Sequence, residues 1–144
     1  MKQASLLVAV LVLLLQCGYW LAGYQAIFQI GFGAITLMGL MIALTFLWLY
    51  LQRATPLALG MAYSWCGASL VLGWWWIYAL LGAPEAMTAS ALHFTPLAVY
   101  LSGAVLHFSV IHRSFGWHGA AFLAPVLGAV MCSTAIYVII QSLR

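Results

Sequence analysis

Residues 3–52 read QASLLVAVLVLLLQCGYWLAGYQAIFQIGFGAITLMGLMIALTFLWLYLQ, and this stretch contains no charged side chain. A charge near the centre of a bilayer costs roughly 2.5–3.5 kcal/mol on insertion scales, so charges mark the ends of membrane spans. A single helix of these 50 residues would be about 75 Å long, whereas the hydrocarbon core is about 30 Å thick. The stretch is therefore predicted to cross the membrane twice, with one turn between the crossings.

The rest of the chain has the same composition. Of its 144 residues, 67% are hydrophobic and 3% are charged, whereas about a quarter of the residues of a soluble domain are charged. The charged residues are Lys2, Arg53, Glu85, Arg113 and Arg144. The three later intervals between them hold 31, 27 and 30 residues, each enough for one span and a short loop. The sequence therefore predicts an integral membrane protein whose main partner is the lipid bilayer.

The predicted fold class is all-α, with a bundle of about five transmembrane helices, very short loops and a single domain over residues 1–144. Aromatic and basic borders, and breakers such as Pro56, Gly82 and Pro84, set the ends of the helices. The predicted spans are residues 4–23, 27–51, 57–81, 90–111 and 119–141.

The basic residues also predict an orientation. With the N-terminus in the cytoplasm, Lys2, Arg53 and Arg113 lie inside and Arg144 lies outside, in line with the positive-inside rule. We expect a bacterial inner membrane. The first span resembles a secretory signal, but Gln16 precedes Cys17 and no A-x-A site follows, so the span is predicted to be retained.

The charges and the cysteines exclude several classes of partner. A net charge of +3 from four scattered basic residues forms no nucleic-acid-binding patch. Three cysteines stand singly in apolar stretches, so neither a disulfide framework nor a zinc site is predicted. On one helix, His107 and His112 would point about 140 degrees apart, so they and His118 do not converge on a metal ion.

The fourth span carries the residues with the most chemical potential. They recur at i, i+3, i+7, i+10 and i+14, which places them on one helix face. They are His93, Pro96, Tyr100, Gly103 and His107. An ionisable group inside a membrane is a candidate for function, so this polar face is predicted to line a ligand path. The alternative is that both histidines are polar side chains hydrogen-bonded to a neighbouring helix.

A spacing of 14 residues between two histidines, His93 and His107, resembles the arrangement in membrane b-type cytochromes. There, one helix supplies an axial ligand to each of two stacked haems. The resemblance implies haem b as a possible cofactor, with these two histidines as ligands. The second ligand of each haem would then have to come from a partner chain or a symmetric dimer.

Glu85 is the single acid of the chain, which excludes catalysis by a pair of carboxylates within one copy. The sequence also lacks a G-x-S-x-G motif and any aspartate that would orient a catalytic histidine. The residue types therefore favour a function other than catalysis. We expect Glu85 in an exposed loop; if the loop dips inward, it is a possible gating or proton-linked acid that would pair with His93.

Small residues and aromatic residues mark the third span. Gly60, Ser64, Gly67, Ser69 and Gly73 predict close helix packing, as Ala124, Gly128 and Cys132 do in the fifth span. Residues 56–67, PLALGMAYSWCG, resemble the proline-started third helix of small multidrug resistance transporters. Residues 4–23 contain no acid where that family has its proton-coupled glutamate, so the resemblance indicates packing.

Trp74, Trp75 and Trp76 are consecutive and point about 100 degrees apart, which is typical of an interfacial belt. One of these rings could face a cavity with Tyr63 and Trp65 that would hold a cation or a flat ligand.

Three functions remain open. The first is small-molecule transport or channel-like activity in a homo-oligomer, with a path lined by His93, Tyr100, His107, Tyr63 and Trp65. The second is a non-catalytic subunit of a larger membrane complex. The third is a redox subunit that handles haem or quinone through His93 and His107.

Overall fold

The computed structural model describes residues 2–112, 116 and 118–143, and every regular element in these ranges is helical. The helices are α1 (Lys2–Arg53), α2 (Pro56–Leu80), α3 (Glu85–Thr88), α4 (Phe94–Ile111) and α5 (Ala124–Ser142). Short 3-10 turns, Ala91–His93 and Gly119–Leu123, precede α4 and α5. Arg113, Trp117 and Arg144, on which part of the predicted orientation and interface rests, lie outside the described residues.

Within the described residues, four helices are long and apolar enough to cross a membrane: Gln3–Arg53, Pro56–Leu80, Ala91–Ile111 and Gly119–Ser142. The all-helical class is thereby confirmed, and these four helices have the length and the apolar composition that a membrane span requires. The first of these helices has 51 residues, far more than one crossing needs.

Helix α1 is broken at Gly23, whose backbone has φ 81° and ψ 168°. A side-chain carbon on Gly18 would lie 2.6 Å from Cδ1 of Ile27, although nine residues of straight helix span about 13.5 Å. The chain therefore bends sharply at Gly23 and brings its two arms, residues 2–22 and 24–53, together near the bend. The turn was expected to include residues 24–26; it is confined to one residue because glycine adopts a positive φ that other residues resist.

Helix α2 lies in the middle of the bundle, between the second arm of α1 and α4. Its buried residues are all small: Ala58, Gly60, Ala62, Gly67, Ser69 and Gly73. Larger side chains of the same helix, such as Trp65 and Ile77, are exposed toward the surroundings. This distribution suits lipid, where helices associate through close van der Waals packing rather than by burying large apolar side chains.

The contact between α2 and α4 is made backbone to backbone. A Cβ atom on Gly60 would lie 2.8 Å from the backbone nitrogen of His107, and one on Gly67 would overlap the backbone of Tyr100. On the other helix, a Cβ on Gly103 would overlap the backbone of Ser64. The three pairs follow one antiparallel register, so glycine is required at each of these positions for the observed separation of the helices.

A second set of close contacts joins α2 to α1. The indole of Trp76 lies over Gly33, the hydroxyl of Ser69 lies against Gly39, and a Cβ on Gly73 would be 3.0 Å from Cγ2 of Thr36. The small residues of α2 thus allow close packing against α1 and against α4, one on each side of the helix.

The segment before α4 contains more structure than the predicted loop. Pro84 precedes α3, and the Oγ atom of Ser90 then accepts a hydrogen bond from the Leu92 N–H at 3.3 Å, which caps the 3-10 turn. Helix α4 begins at Phe94, a few residues after the start of the predicted span 90–111. These short elements carry the residues that surround the candidate site.

Candidate functional site

The imidazole of His93 lies between the rings of two consecutive tryptophans. Its centroid is 5.5 Å from that of Trp74, with the planes tilted by 49°, and 5.4 Å from that of Trp75, in an edge arrangement at 69°. The tryptophans belong to the second half of α2 and His93 ends the 3-10 turn before α4. The antiparallel register fixed by the glycine contacts brings these residues to the same level of the bundle.

The Nδ1 atom of His93 is buried and finds no hydrogen-bond partner within the described residues. An unsatisfied buried polar atom costs roughly 1–3 kcal/mol. Such atoms are uncommon in folded proteins, and each one calls for an explanation such as a ligand or an ordered water. His93 thus combines a fixed ring position with an unused hydrogen-bonding atom.

A cavity of about 310 Å³ lies beside this ring. Its lining consists of Trp74, Trp75, Met87, Thr88, Ala89, Ser90, His93 and Phe94. Every lining residue that the structure describes is formally uncharged, and the surface is mainly aromatic. The volume lies at the small end of the range typical of ligand pockets.

Two hydroxyl groups add polar character to the cavity wall. The Thr88 hydroxyl donates to the carbonyl oxygen of Pro84 at 3.4 Å and lies 3.4 Å from the hydroxyl of Tyr78. Ser90 uses its oxygen as an acceptor for the Leu92 N–H, which leaves its own O–H proton available as a donor. Together with His93, these groups could bind the polar edge of a small molecule.

The cavity opens at one end of the bundle, next to the turn between α2 and α3. The side chains of Trp75 and Phe94 at its margin are 45% and 66% exposed. Glu85 lies in the first turn of α3 and is exposed, as expected from the sequence, but it is not part of the lining. The neighbours of the His93 ring are the two tryptophans rather than this carboxylate.

His107 occupies a different environment on the same face of α4. Its Nδ1 is also buried without a partner among the described residues, and its ring lies 5.6 Å from that of Phe108 at 83°. The backbone of His107, however, abuts Gly60 of α2. This close approach leaves no gap for a flat macrocycle between α2 and α4 at the level of His107. The two histidines are separated by about 21 Å of helix.

The remaining residues of the predicted ligand path lie apart from His93. Tyr100 packs its backbone and Cβ against Gly67 in the middle of the α2–α4 contact. Tyr63 lines a second, apolar cavity of about 410 Å³ where α1, α2 and α4 meet. Trp65 lies near Gly39 of α1. The structure thus brings His93 together with Trp74 and Trp75, and not with Tyr63 or Trp65.

Three further polar side chains of the bundle were not anticipated. Gln29 Oε1, Thr36 Oγ1 and Trp76 Nε1 are buried and unpaired within the described residues, and Thr36 and Trp76 lie at the contact between α1 and α2. The spacing of Gln29, Gly33 and Thr36, at i, i+4 and i+7, could have indicated a shared face. In the sequence this signal is hidden by the surrounding apolar residues.

The other two histidines, His112 and His118, lie outside the cavity. The Nδ1 of His112 lies 2.7 Å from the carbonyl oxygen of Ser109 at the end of α4, and its ring is 5.7 Å from that of Phe122. His118 is exposed and precedes the 3-10 turn that leads to α5. In the part of the chain that the structure describes, no three His, Cys, Asp or Glu side chains converge on a possible metal position.

Comparison of the chain with models of protein families, with curated proteins and with solved structures finds no match. The functional argument therefore rests on the geometry around His93.

Proposed function

We propose that this chain is a small-molecule transporter or channel-like protein that works as a homo-oligomer in a bacterial inner membrane. The observation that carries the proposal is the cavity at one end of α2 and α4, where the buried and unpaired Nδ1 of His93 lies beside Trp74 and Trp75. A concave, mostly aromatic site with a few polar groups is the usual form of a small-molecule site.

The oligomer in this proposal is supported by the surfaces that one chain leaves uncovered. In the most apolar window of the last span no residue is buried, and Met131 there is 71% exposed. The first arm of α1 is exposed over most of its length as well. A second copy packed against these surfaces would leave the cavity open, and Tyr100, His107, Tyr63 and Trp65 are the proposed lining of the rest of the path.

The proposed orientation places the cavity on one side of the membrane. If both arms of α1 cross the membrane, the chain has five crossings, and a cytoplasmic N-terminus places Arg53 inside and the turn at Gly82 outside. The cavity beside His93 would then open at the outer surface. Glu85 would lie at the same surface as an entrance acid.

Osmotic swelling of proteoliposomes tests transport with unlabelled solutes of several chemical types. Liposomes with and without the protein are mixed with isosmotic solutions of urea, glycerol or nicotinamide, and swelling is followed by stopped-flow light scattering. We expect faster swelling with protein for at least one solute. Ala89→Trp, which fills the cavity, should abolish the difference, whereas Ala34→Trp, at an exposed position of the second arm of α1 outside the cavity and outside the proposed contact between copies, should preserve it. Equal rates with and without wild-type protein would refute transport of these solutes.

Native mass spectrometry tests the oligomer. Protein released from nanodiscs should appear as a homo-oligomer. A monomer that carries a different protein through purification would instead support the alternative of a subunit in a larger membrane complex.

A further inference from the structure

We infer that the cavity beside His93 binds an uncharged, planar ring compound with a hydrogen-bonding edge, such as a heteroaromatic carboxamide. This inference names the substrate class of the site on which the proposed function rests.

The planarity of the ligand follows from the aromatic wall. Trp74, Trp75 and Phe94 line a space of about 310 Å³, and aromatic rings pack best on other flat rings in offset or edge arrangements. Both tryptophans are held by their contact with His93, so the wall is formed before a ligand arrives. A puckered ring of the same size would touch fewer of these atoms.

The polar edge follows from the polar residues of the lining. His93 and Ser90 both line the cavity, and the Ser90 oxygen, which accepts from the Leu92 N–H, retains a proton to donate. The imidazole of His93 donates or accepts a hydrogen bond according to the tautomer of the ring. A carboxamide offers both an N–H donor and a carbonyl acceptor, so it can satisfy either tautomer.

The absence of charge in the ligand follows from the described lining. No residue of that lining carries a formal charge, and Glu85, the one acid of the chain, is exposed outside it. A charged ligand would lose hydration at the cavity without gaining a counter-charge. Cation–π attraction to the tryptophans would favour a charged ligand, but the rings of Trp74 and Trp75 already contact the ring of His93.

Equilibrium dialysis of the full chain in nanodiscs, with empty nanodiscs subtracted, tests the inference with three matched probes. Nicotinamide is planar and neutral, cyclohexanecarboxamide has the same amide on a puckered ring, and 1-methylnicotinamide adds a fixed positive charge. We expect saturable binding of nicotinamide and binding of the other two that is weaker by roughly fivefold or more. Equal or tighter binding of either comparison probe, or no saturable binding of nicotinamide, would overturn the inference.

Variants tie the binding to the named atoms. His93→Ala should weaken nicotinamide binding roughly 2- to 10-fold, the value of one neutral hydrogen bond. His93→Gln, whose side-chain amide keeps a hydrogen-bond donor and an acceptor at this position, should recover most of the loss, which a merely structural role of the ring would not allow. Trp74→Leu should weaken binding, while His118→Ala and Trp48→Leu, both at exposed positions outside the cavity, should not.

Circular dichroism and size-exclusion chromatography establish that each variant is folded. If His93→Ala and His93→Gln bind nicotinamide as the wild type does, the assignment to His93 is wrong. The dialysis result is independent of the swelling assay. Binding without swelling removes the transport proposal and keeps this one, whereas swelling that needs neither His93 nor Trp74 removes this one and keeps transport.

Discussion

The two ends of helix α4 place the same residue type, on the same face, in opposite surroundings. At one end His93 meets two tryptophans and a cavity, and at the other the backbone of His107 meets Gly60. Both Nδ1 atoms are buried and unpaired within the described residues. The difference comes from helix α2, which presents large rings at the first level and hydrogen atoms of glycine at the second. The neighbouring helix, rather than the histidine itself, decides which end can accept a ligand.

The largest effect on stability is expected from a larger side chain at the centre of the contact between α2 and α4, midway between His93 and His107. Gly67→Leu places a side chain where the backbone of Tyr100 already lies, so the helices must separate. We expect a loss of stability of about 3 kcal/mol, at the upper end of the usual cost of overpacking. Thermal unfolding in detergent, followed by circular dichroism, measures this loss.

Gly31→Leu is the matched control for that experiment, because a Cβ at Gly31 of α1 meets no atom within 4 Å. Its stability should stay within about 0.5 kcal/mol of the wild type, as for other substitutions away from packed positions. A loss as large as that of Gly67→Leu would show that α1 is also tightly packed at this position.

A smaller change at the His107 end should separate stability from binding. In Gly60→Ala, the new methyl group meets the backbone nitrogen of His107 at 2.8 Å, so a local shift costing about 1–2 kcal/mol is expected. Nicotinamide binding should be preserved, because the cavity lies at the other end of α4. Weakened binding in a folded Gly60→Ala variant would mean that the two ends are coupled.

At the His93 end, removal of the ring nitrogens should increase the stability of the protein instead of decreasing it. His93→Phe keeps a ring between the tryptophans and deletes the unpaired Nδ1 atom, so the free energy of unfolding should increase by about 1 kcal/mol. Binding of nicotinamide should be lost in the same variant, since sites kept for function are often suboptimal for stability. Decreased stability would indicate that Nδ1 has a partner, such as a water molecule, when no ligand is bound.

The redox function with bound haem predicts a Soret band in the visible spectrum, whereas we expect none. Because Gly60 and His107 are in backbone contact, the protein purified after expression with a haem precursor should show no Soret band in its visible spectrum. A Soret band that disappears in His107→Ala would mean that a haem binds the His107 ring outside the contact with Gly60, and it would favour the redox function.

Much of the fold follows from the positions of charges and breakers. Arg53 and Pro56 mark the end of α1 and the start of α2, and Glu85 opens α3, because charge and proline are both disfavoured inside a span. The bend in α1 was expected from length alone, but its position was not. Several glycines lie in that stretch, and which of them adopts a positive φ depends on the packing of Gly18 against Ile27.

The site was less predictable than the fold. Periodicity placed His93, Tyr100 and His107 on one face of α4, which in the structure is the face toward α2. The partners of these residues depend on the register between two helices. That register is set by the fit of Gly60, Gly67 and Gly103 against particular backbone atoms, and the order of residues along one helix does not contain it.

The bend at Gly23 also bears on how the chain enters the membrane. The residues around it, Leu21, Ala22 and Tyr24, include no charge that would stabilise the bend as a water-exposed loop before the second arm inserts. If both arms span the membrane, they would enter it together as one helical hairpin, and the bend at Gly23 would then matter for insertion as well as for the finished structure.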